Sequence, residues 1–285
     1  MRVFVTGANG QVGRELARVL PANQVYLATH QREDITSDRI VDTIIRERPD
    51  VVIHAAAMTD VDACERDPER ARLVNETGSR LVARGAAKAG AHLIAISTDY
   101  VFDGRKGTPY VESDRPAPLS VYGATKLAGE RAVFEETARA CVVRTAWVFG
   151  VGKTHFISFV LSRLRSGEPI RAVVDTYGSP TNTKDLVATV LRLAERDVTG
   201  VVHVAGSGVC NWLEYAQAIL QAGAVTVPIL PISFADLKRP APRPANSSLA
   251  SERLGQFGIS MRGWREMVQD YLATYESAFV RQVTR

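Results

Sequence analysis

The first half of the chain alternates short apolar runs with longer segments in which apolar residues recur every three or four positions. The short runs indicate buried strands, and the periodic segments indicate amphipathic helices. The predicted strands are RVFVTG (2–7), QVYLAT (24–29), DVVIHAAA (50–57), AHLIAIS (91–97) and ACVVRTAWVFG (140–150), with helices between them at 11–20, 37–48, 68–89 and 122–138. Strands that are apolar on both faces and alternate with helices predict a doubly wound α/β fold with a parallel sheet.

The pattern becomes less regular after residue 150. Helices are predicted at 155–166, 184–196 and 212–223, and strands at 169–174 and 200–206. A proline-rich segment, PISFADLKRPAPRPANSSL, follows and disfavours regular structure. We therefore expect a nucleotide-binding domain over 1–150 and a smaller lobe over 151–285, with segments near 176–206 returning to the sheet.

Composition and charge argue against a nucleic-acid-binding protein and against a membrane protein. The chain has 285 residues, is 46% hydrophobic and carries a net charge of +4. Its basic residues are scattered among acidic ones, which argues against a nucleic-acid partner. Three widely spaced cysteines favour a reducing compartment. No apolar stretch is long enough to span a bilayer, and the first strand starts at Arg2, so we expect a cytoplasmic protein without a membrane partner.

A glycine-rich turn follows the first predicted strand and opens the first predicted helix. In TGANGQVG (6–13), Gly7, Gly10 and Gly13 stand at G-x-x-G-x-x-G spacing. Glycines let the backbone approach a pyrophosphate, and the helix N-terminus offers free N–H groups. A tight turn without a ligand would use the same glycines, but the strand context favours a dinucleotide site.

The tip of the second predicted strand bears on the choice of dinucleotide. In such folds a carboxylate at this tip binds the ribose hydroxyls of NAD. Here LATHQREDIT places Thr29, His30 and Arg32 first and Asp34 only later. Because Arg32 and His30 could bind a 2′-phosphate, we expect NADPH, with NADH as an alternative. A solvated polar loop is the other interpretation.

A tyrosine and a lysine in YGATK carry the candidate catalytic chemistry. Tyr122 and Lys126 lie four residues apart on a predicted helix and share one face. A nearby ammonium lowers the pKa of a phenol, and such a tyrosine exchanges a proton with a carbonyl oxygen. Chance Tyr–Lys pairs are common on surfaces. However, STDYVFDG (97–104) ends a strand at the sheet edge where α/β proteins bind ligands, and Thr98 there can donate its hydroxyl to the same oxygen.

Together these motifs resemble the extended short-chain dehydrogenase/reductases. The similarity is greatest to the dTDP-4-dehydrorhamnose reductase family over about 1–250, and it rests on GANGQVGREL, HAAAMTDVDACE, STDYVFDG, YGATKLAGE, RTAWVFG, GSPT and RPANSSL. The resemblance implies NADPH-dependent reduction of the C4 keto group of dTDP-4-dehydro-L-rhamnose to dTDP-L-rhamnose. It also implies a Rossmann-type domain followed by a lobe that binds the dTDP-sugar.

The resemblance assigns roles to individual residues. It implies a catalytic trio of Thr98, Tyr122 and Lys126. The residues expected at the cofactor are Gly7, Gly10, Gln11, Val12, Gly13, His30, Arg32, Asp34, Ile35, Ala55, Ala56, Ala57, Tyr122 and Lys126. The residues expected at the sugar are Thr59, Val61, Tyr100, Phe102 and Trp147, where Trp147 could instead fill the core.

The proline-rich segment supplies a candidate for the substrate diphosphate. It carries Lys238, Arg239 and Arg243, and a guanidinium binds phosphate oxygens in a bidentate fork. We select Arg243, which directly precedes the best-matched stretch, although a solvated basic linker would have the same composition.

The chain departs from the family pattern in places. DTYGSPT (175–181) carries Thr176 where the family has a glutamine, and Thr29 replaces an acid at the second strand. Some members dimerise around magnesium through a glutamate at the position of Glu15. The other acidic ligands are not clearly matched, so a solvated helix face is the alternative for Glu15 and no metal ligand is assigned.

Alternatives to this reductase remain open at the level of sequence. One is a reductase of another nucleotide-linked 4-ketosugar, and another is a sugar-nucleotide epimerase that retains NAD. A third is a non-catalytic subunit resembling the β subunit of methionine adenosyltransferase, against which the intact trio argues. Both a monomer and a homodimer are compatible with the sequence.

Overall fold

The computed structural model describes residues 1–152 and 154–275. Its strands are β1 (Val3–Thr6), β2 (Val25–Ala28), β3 (Val51–His54), β4 (His92–Thr98), β5 (Ala140–Thr145), β6 (Val148–Phe149), β7 (Ile170–Val173), β8 (Tyr177–Gly178), β9 (Thr181–Asn182), β10 (Gly200–His203), β11 (Cys210–Asn211) and β12 (Ile229–Ile232). Its α-helices are α1 (Gln11–Val19), α2 (Arg39–Glu47), α3 (Val61–Arg66), α4 (Pro68–Arg72), α5 (Gly78–Ala89), α6 (Val121–Glu136), α7 (Phe156–Ser166), α8 (Thr183–Glu195), α9 (Trp212–Ala222) and α10 (Trp264–Tyr275). Within these ranges no helix is both long and apolar enough to cross a membrane.

A parallel six-stranded sheet forms the centre of the described part of the chain. Its order is β2-β1-β3-β4-β5-β10, and every neighbouring pair runs parallel. The chain order reverses at β1, so the topological switch point lies between β1 and β3. Because the strands are parallel, their carboxyl ends meet at one edge. The doubly wound, Rossmann-type fold predicted from the sequence is confirmed.

Both faces of the sheet are buried, which explains why its strands are apolar without alternation. Val5 and Ile53 belong to a core that includes Leu16 of α1 and Leu186 of α8. On the opposite face, Phe4 packs in a core with residues of α2 and α5. Side chains of successive strand residues point to opposite faces, so burial on both sides requires every position to be apolar.

The second half of the chain builds a smaller lobe and also returns to the sheet. The lobe core groups Ile157 of α7, Tyr215 of α9 and Met267 of α10. The strands β7 and β12 pair with each other, whereas β10 pairs with β5 in the main sheet. Residues 276–285 of the predicted second domain, and Lys153, lie outside the described residues.

Two predicted elements are interrupted in the structure. The helix predicted at 68–89 contains a π-helical turn, Leu73–Thr77, between α4 and α5. The strand predicted at 140–150 breaks between β5 and β6, where Trp147 adopts a left-handed φ of 43°. Such a φ is unfavourable for an aromatic residue, and the sites that hold one are often functional.

Candidate active site

A cleft of 720 Å³ follows the carboxyl edge of the sheet from β1 and β2 to β4 and β5. Most of the residues predicted from the sequence to bind cofactor or sugar border it. They are Gly7, Gly10, Gln11, Val12, Gly13, His30, Asp34, Ile35, Ala55, Ala56, Ala57, Thr59, Val61, Thr98, Tyr100, Tyr122, Lys126 and Trp147. The fold thus brings the glycine turn and the Tyr–Lys motif into one cavity.

The glycine turn has no room for side chains. A Cβ atom at Gly7 would lie 2.6 Å from the Ala56 nitrogen, and Gly7 has a φ of 72°. A Cβ atom at Gly13 would lie 2.4 Å from the Gly7 oxygen. Gly10 caps α1, so the free N–H groups of this helix open into the cleft beside β3. This cradle fits a diphosphate, since it combines close backbone approach with N–H donors.

The adenosine side of the cleft differs from the prediction. Arg32 is exposed and does not border the cleft, because the turn that joins its N–H to the Thr29 oxygen directs it outward. The predicted Asp34 borders the cleft, and Glu33 lies beside it. Arg70 of α4 also borders the cleft, and its position could not be predicted from the sequence. Hydrogen bonds from Thr36 hold the pKa of Asp34 below its usual value, and the charges of His30 and Arg70 act in the same direction.

Two features of α6 place Tyr122 and Lys126 in the cleft. Ser120 caps the helix by accepting a hydrogen bond from the Gly123 N–H, at 3.2 Å. A Cβ atom at Gly123 would lie 2.1 Å from the Tyr100 oxygen, so glycine lets the helix pack directly on the turn after β4. The Tyr122 ring consequently meets the Tyr100 ring edge-to-face at 5.8 Å.

The pKa of Tyr122 is not lowered by Lys126, as the sequence had led us to expect, but raised. Burial raises the pKa of Tyr122, and a side-chain hydrogen bond with Thr98 only partly opposes this. Lys126 is 7% exposed and its Nζ donates to the Ile96 oxygen at 2.8 Å. Burial lowers the pKa of Lys126 to about 8, while the charge of Glu130 raises it. The phenol is therefore protonated at neutral pH, as an acid donor must be.

A buried carboxyl group lies beside Thr98. Asp99 is 3% exposed, borders the cleft and accepts a hydrogen bond from Thr98 Oγ1 at 3.0 Å. Its other oxygen accepts from Ser247 Oγ, which belongs to RPANSSL. Burial raises the pKa of Asp99 to about 7, against these hydrogen bonds. A role for Asp99 could not be predicted from the sequence, because its partner Ser247 is distant in the chain.

The far wall of the cleft is aromatic. The indoles of Trp147 and Trp212 stack with centroids 3.6 Å apart and an interplanar angle of 13°, and both residues border the cleft. A Cβ atom at Gly178 would lie 2.2 Å from Trp147 Cε2, so this glycine makes space for the indole. Trp147 therefore forms cleft wall rather than only core. The sequence did not indicate Trp212, which starts α9.

Two residues predicted at the sugar do not themselves border the cleft. Phe102 is fully buried and stacks on Tyr110 at 4.2 Å, because the single turn Asp99–Val101 after β4 rotates its side chain into the core. Arg243 does not border the cleft; its Nη1 lies 2.5 Å from Asp62 Oδ1. Its guanidinium also hydrogen-bonds Tyr100, which borders the cleft, so Arg243 lies directly behind the cleft wall.

Glu15, the candidate magnesium ligand of the sequence, pairs with an arginine of its own helix. Glu15 is 6% exposed and accepts hydrogen bonds from Arg18 at 2.6 and 3.1 Å, so it does not lie on a solvated helix face. Among residues 1–152 and 154–275, no three His, Cys, Asp or Glu side chains are arranged to bind a metal ion.

A parallel sheet whose cleft has a glycine cradle at one end and a half-buried tyrosine with a buried lysine at the other defines a Rossmann-type oxidoreductase. The chain belongs to the family described as RmlD substrate binding domain, which it matches over residues 1–277.

Named relatives agree with this class. The chain is 41% identical over 284 residues to dTDP-4-dehydrorhamnose reductase of Mycolicibacterium smegmatis, covering 97% of this chain and 86% of the relative. It is 37% identical over 277 residues to a probable dTDP-4,6-dihydroxy-2-methyloxan-3-one 4-ketoreductase of Streptomyces antibioticus, covering 95% and 94%. A crystal structure of dTDP-4-dehydrorhamnose reductase from Bacillus anthracis in complex with NADP superimposes with a TM-score of 0.92 at 34% identity, covering 95% and 98%.

Proposed function

We propose that this chain uses NADPH to reduce the C4 keto group of dTDP-4-dehydro-L-rhamnose, giving dTDP-L-rhamnose. The observation that carries the proposal is that the half-buried Tyr122 and the buried Lys126 border one end of a cleft together with Thr98, and that this cleft starts at a glycine cradle. The name of the Mycolicibacterium relative supports the reaction, and the NADP in the Bacillus structure supports the cofactor.

The chain's own residues suit a nicotinamide dinucleotide. The N–H groups at the start of α1 would bind the diphosphate, in the space that Gly7 and Gly13 leave open. His30 and Arg70 would provide positive charge toward a 2′-phosphate. When bound, the nicotinamide supplies a hydride to the keto carbon.

Tyr122 acts as the general acid in this proposal. Desolvation raises the pKa of its phenol, so the phenol keeps its proton until negative charge develops on the C4 oxygen and then donates it. The Lys126 ammonium stabilises the phenolate that remains. Thr98 positions the keto oxygen through its hydroxyl, and Asp99 holds that hydroxyl in place before the sugar binds.

The remaining wall of the cleft orients the sugar. Trp147 and Trp212 present aromatic surface, which suits the apolar C6 methyl group of a 6-deoxyhexose. Thr59, Val61 and Tyr100 border the same space. The sugar is thereby enclosed between the lobe and the Tyr122 phenol.

The test is NADPH oxidation with dTDP-6-deoxy-L-lyxo-4-hexulose, followed by NMR of the product sugar. The proposal predicts stoichiometric NADPH consumption and dTDP-L-rhamnose as the product. Turnover that retains NAD and consumes no NADPH would instead identify an epimerase. Absence of turnover and of cofactor binding would leave a non-catalytic protein.

A reductase of a different dTDP-4-ketosugar is the second candidate. It is favoured by the name of the Streptomyces relative. The same assay separates the two, because this candidate predicts faster turnover with another 4-ketosugar or a product of different C4 configuration.

A further inference from the structure

Thr145 carries a buried hydroxyl that no residue within 1–152 and 154–275 satisfies. The residue is 5% exposed and ends β5, and its Oγ1 is a buried atom without a hydrogen-bond partner. Burying a hydroxyl without a partner is unfavourable, so such an atom in a native structure indicates a missing ligand or a functional constraint. Of the buried side-chain atoms without a partner in the described residues, it is the one whose residue borders the cleft.

The sheet places Thr145 at the chemical end of the cleft. Thr145 is paired directly with Thr98 across the parallel strands β4 and β5. Paired residues of neighbouring strands direct their side chains to the same face of a sheet. The diphosphate cradle lies at β1, two strands away from β4 in the order β1-β3-β4-β5. A dinucleotide that starts at this cradle and reaches Tyr122 would therefore bring its nicotinamide ring to the ends of β4 and β5.

We infer that the Thr145 hydroxyl binds the carboxamide of the nicotinamide ring and so fixes the orientation of the ring toward the sugar. This inference rests on the proposed function. The carboxamide offers both an acceptor oxygen and donor N–H groups, and a threonine hydroxyl can pair with either. The neighbouring Thr98 hydroxyl pairs with Asp99 and, in the proposed function, with the keto oxygen, which leaves Thr145 as the unsatisfied hydroxyl of this pair of residues.

Two substitutions separate the hydroxyl from the shape of the side chain. Thr145→Val removes the hydroxyl at nearly constant volume, and Thr145→Ser keeps it. Calorimetric titration with NADPH should give a Kd roughly tenfold higher for Thr145→Val, the scale of one hydrogen bond, and a nearly unchanged Kd for Thr145→Ser. Titration with 2′-phospho-ADP-ribose, which lacks nicotinamide, should give equal affinities for all three proteins.

Thermal unfolding without ligand provides a second readout that distinguishes binding from a structural role. Because Thr145→Val removes an unsatisfied buried polar atom, we expect its Tm to equal or exceed that of the wild type. An unchanged NADPH affinity in Thr145→Val, or an equal loss of affinity for NADPH and 2′-phospho-ADP-ribose, would overturn the role of Thr145 at the carboxamide. Either result would leave the proposed function standing. Failure of the wild type to bind NADPH or NADH would overturn the proposed function and this inference with it.

Discussion

The two ends of the cleft are built in opposite ways. At the nucleotide end, the ligand site exists because Gly7 and Gly13 have no side chains, and the turn is local in the chain. At the carbonyl end, the site consists of buried polar side chains, and Asp99 meets Ser247, 148 residues away. The first arrangement binds through backbone geometry, whereas the second tunes protonation through burial. Changes at the glycine turn should therefore affect the affinity for the cofactor, whereas loss of the Tyr122 phenol should affect turnover.

The largest effect is expected from Tyr122→Phe. Loss of the phenolic proton should lower kcat by about 10²–10⁴-fold, the range for general acid catalysis, and leave the Kd for NADPH nearly unchanged. Tyr110→Phe is a matched control, because Tyr110 is buried outside the cleft. Stopped-flow kinetics measures kcat, and calorimetry measures the Kd for NADPH. A kcat within threefold of wild type for Tyr122→Phe would show that Tyr122 is not the general acid.

Gly13→Ala, at the nucleotide end, should weaken NADPH binding. The new Cβ atom would lie 2.4 Å from the Gly7 oxygen, so the cradle must shift. A misplacement of this kind should raise the Kd for NADPH by about 10- to 100-fold. Gly255→Ala is the control, because nothing lies within 4 Å of a Cβ atom there. Equal NADPH affinities in the two variants would show that the cofactor does not use the glycine turn.

The same contrast explains what could be predicted from the sequence. The glycine turn was predictable because its residues are neighbours in the chain, and the Tyr122–Lys126 spacing fixes one helix face. Trp212 gave no local signal, because its role depends on Trp147, which comes from another element. Phe102 was misplaced because a single turn of helix, Asp99–Val101, changes the direction of the side chains that follow the strand.

The pH dependence of turnover tests the carbonyl end. Burial lowers the pKa of Lys126 to about 8, and the Glu130 charge raises it. If catalysis requires the Lys126 ammonium, kcat should be maximal below this pKa and should fall as the pH rises through about 8. Glu130→Gln removes the charge that raises the pKa, so the alkaline limb should move to lower pH. Glu135→Gln, on the exposed side of α6, should leave the limb in place, and an identical shift in both variants would contradict the assignment.

The smallest effect is expected for cofactor choice. Arg70 borders the cleft and Arg32 does not, so Arg70→Ala should weaken NADPH relative to NADH and Arg32→Ala should not. Arg70 is exposed, so the change in the ratio of the two Kd values should be only about three- to fivefold. A larger change in this ratio for Arg32→Ala than for Arg70→Ala would show that Arg32 binds the 2′-phosphate, as the sequence predicts.

The most direct test of the reductase follows the hydride. Wild-type enzyme is incubated with NADPH that carries deuterium at both C4 positions of the nicotinamide and with dTDP-6-deoxy-L-lyxo-4-hexulose, and the product is analysed by NMR. Direct transfer at the carbonyl end predicts dTDP-L-rhamnose with deuterium at C4 of the sugar and one NADPH oxidised per product. A product without deuterium at C4, or conversion without net oxidation of NADPH, would contradict it.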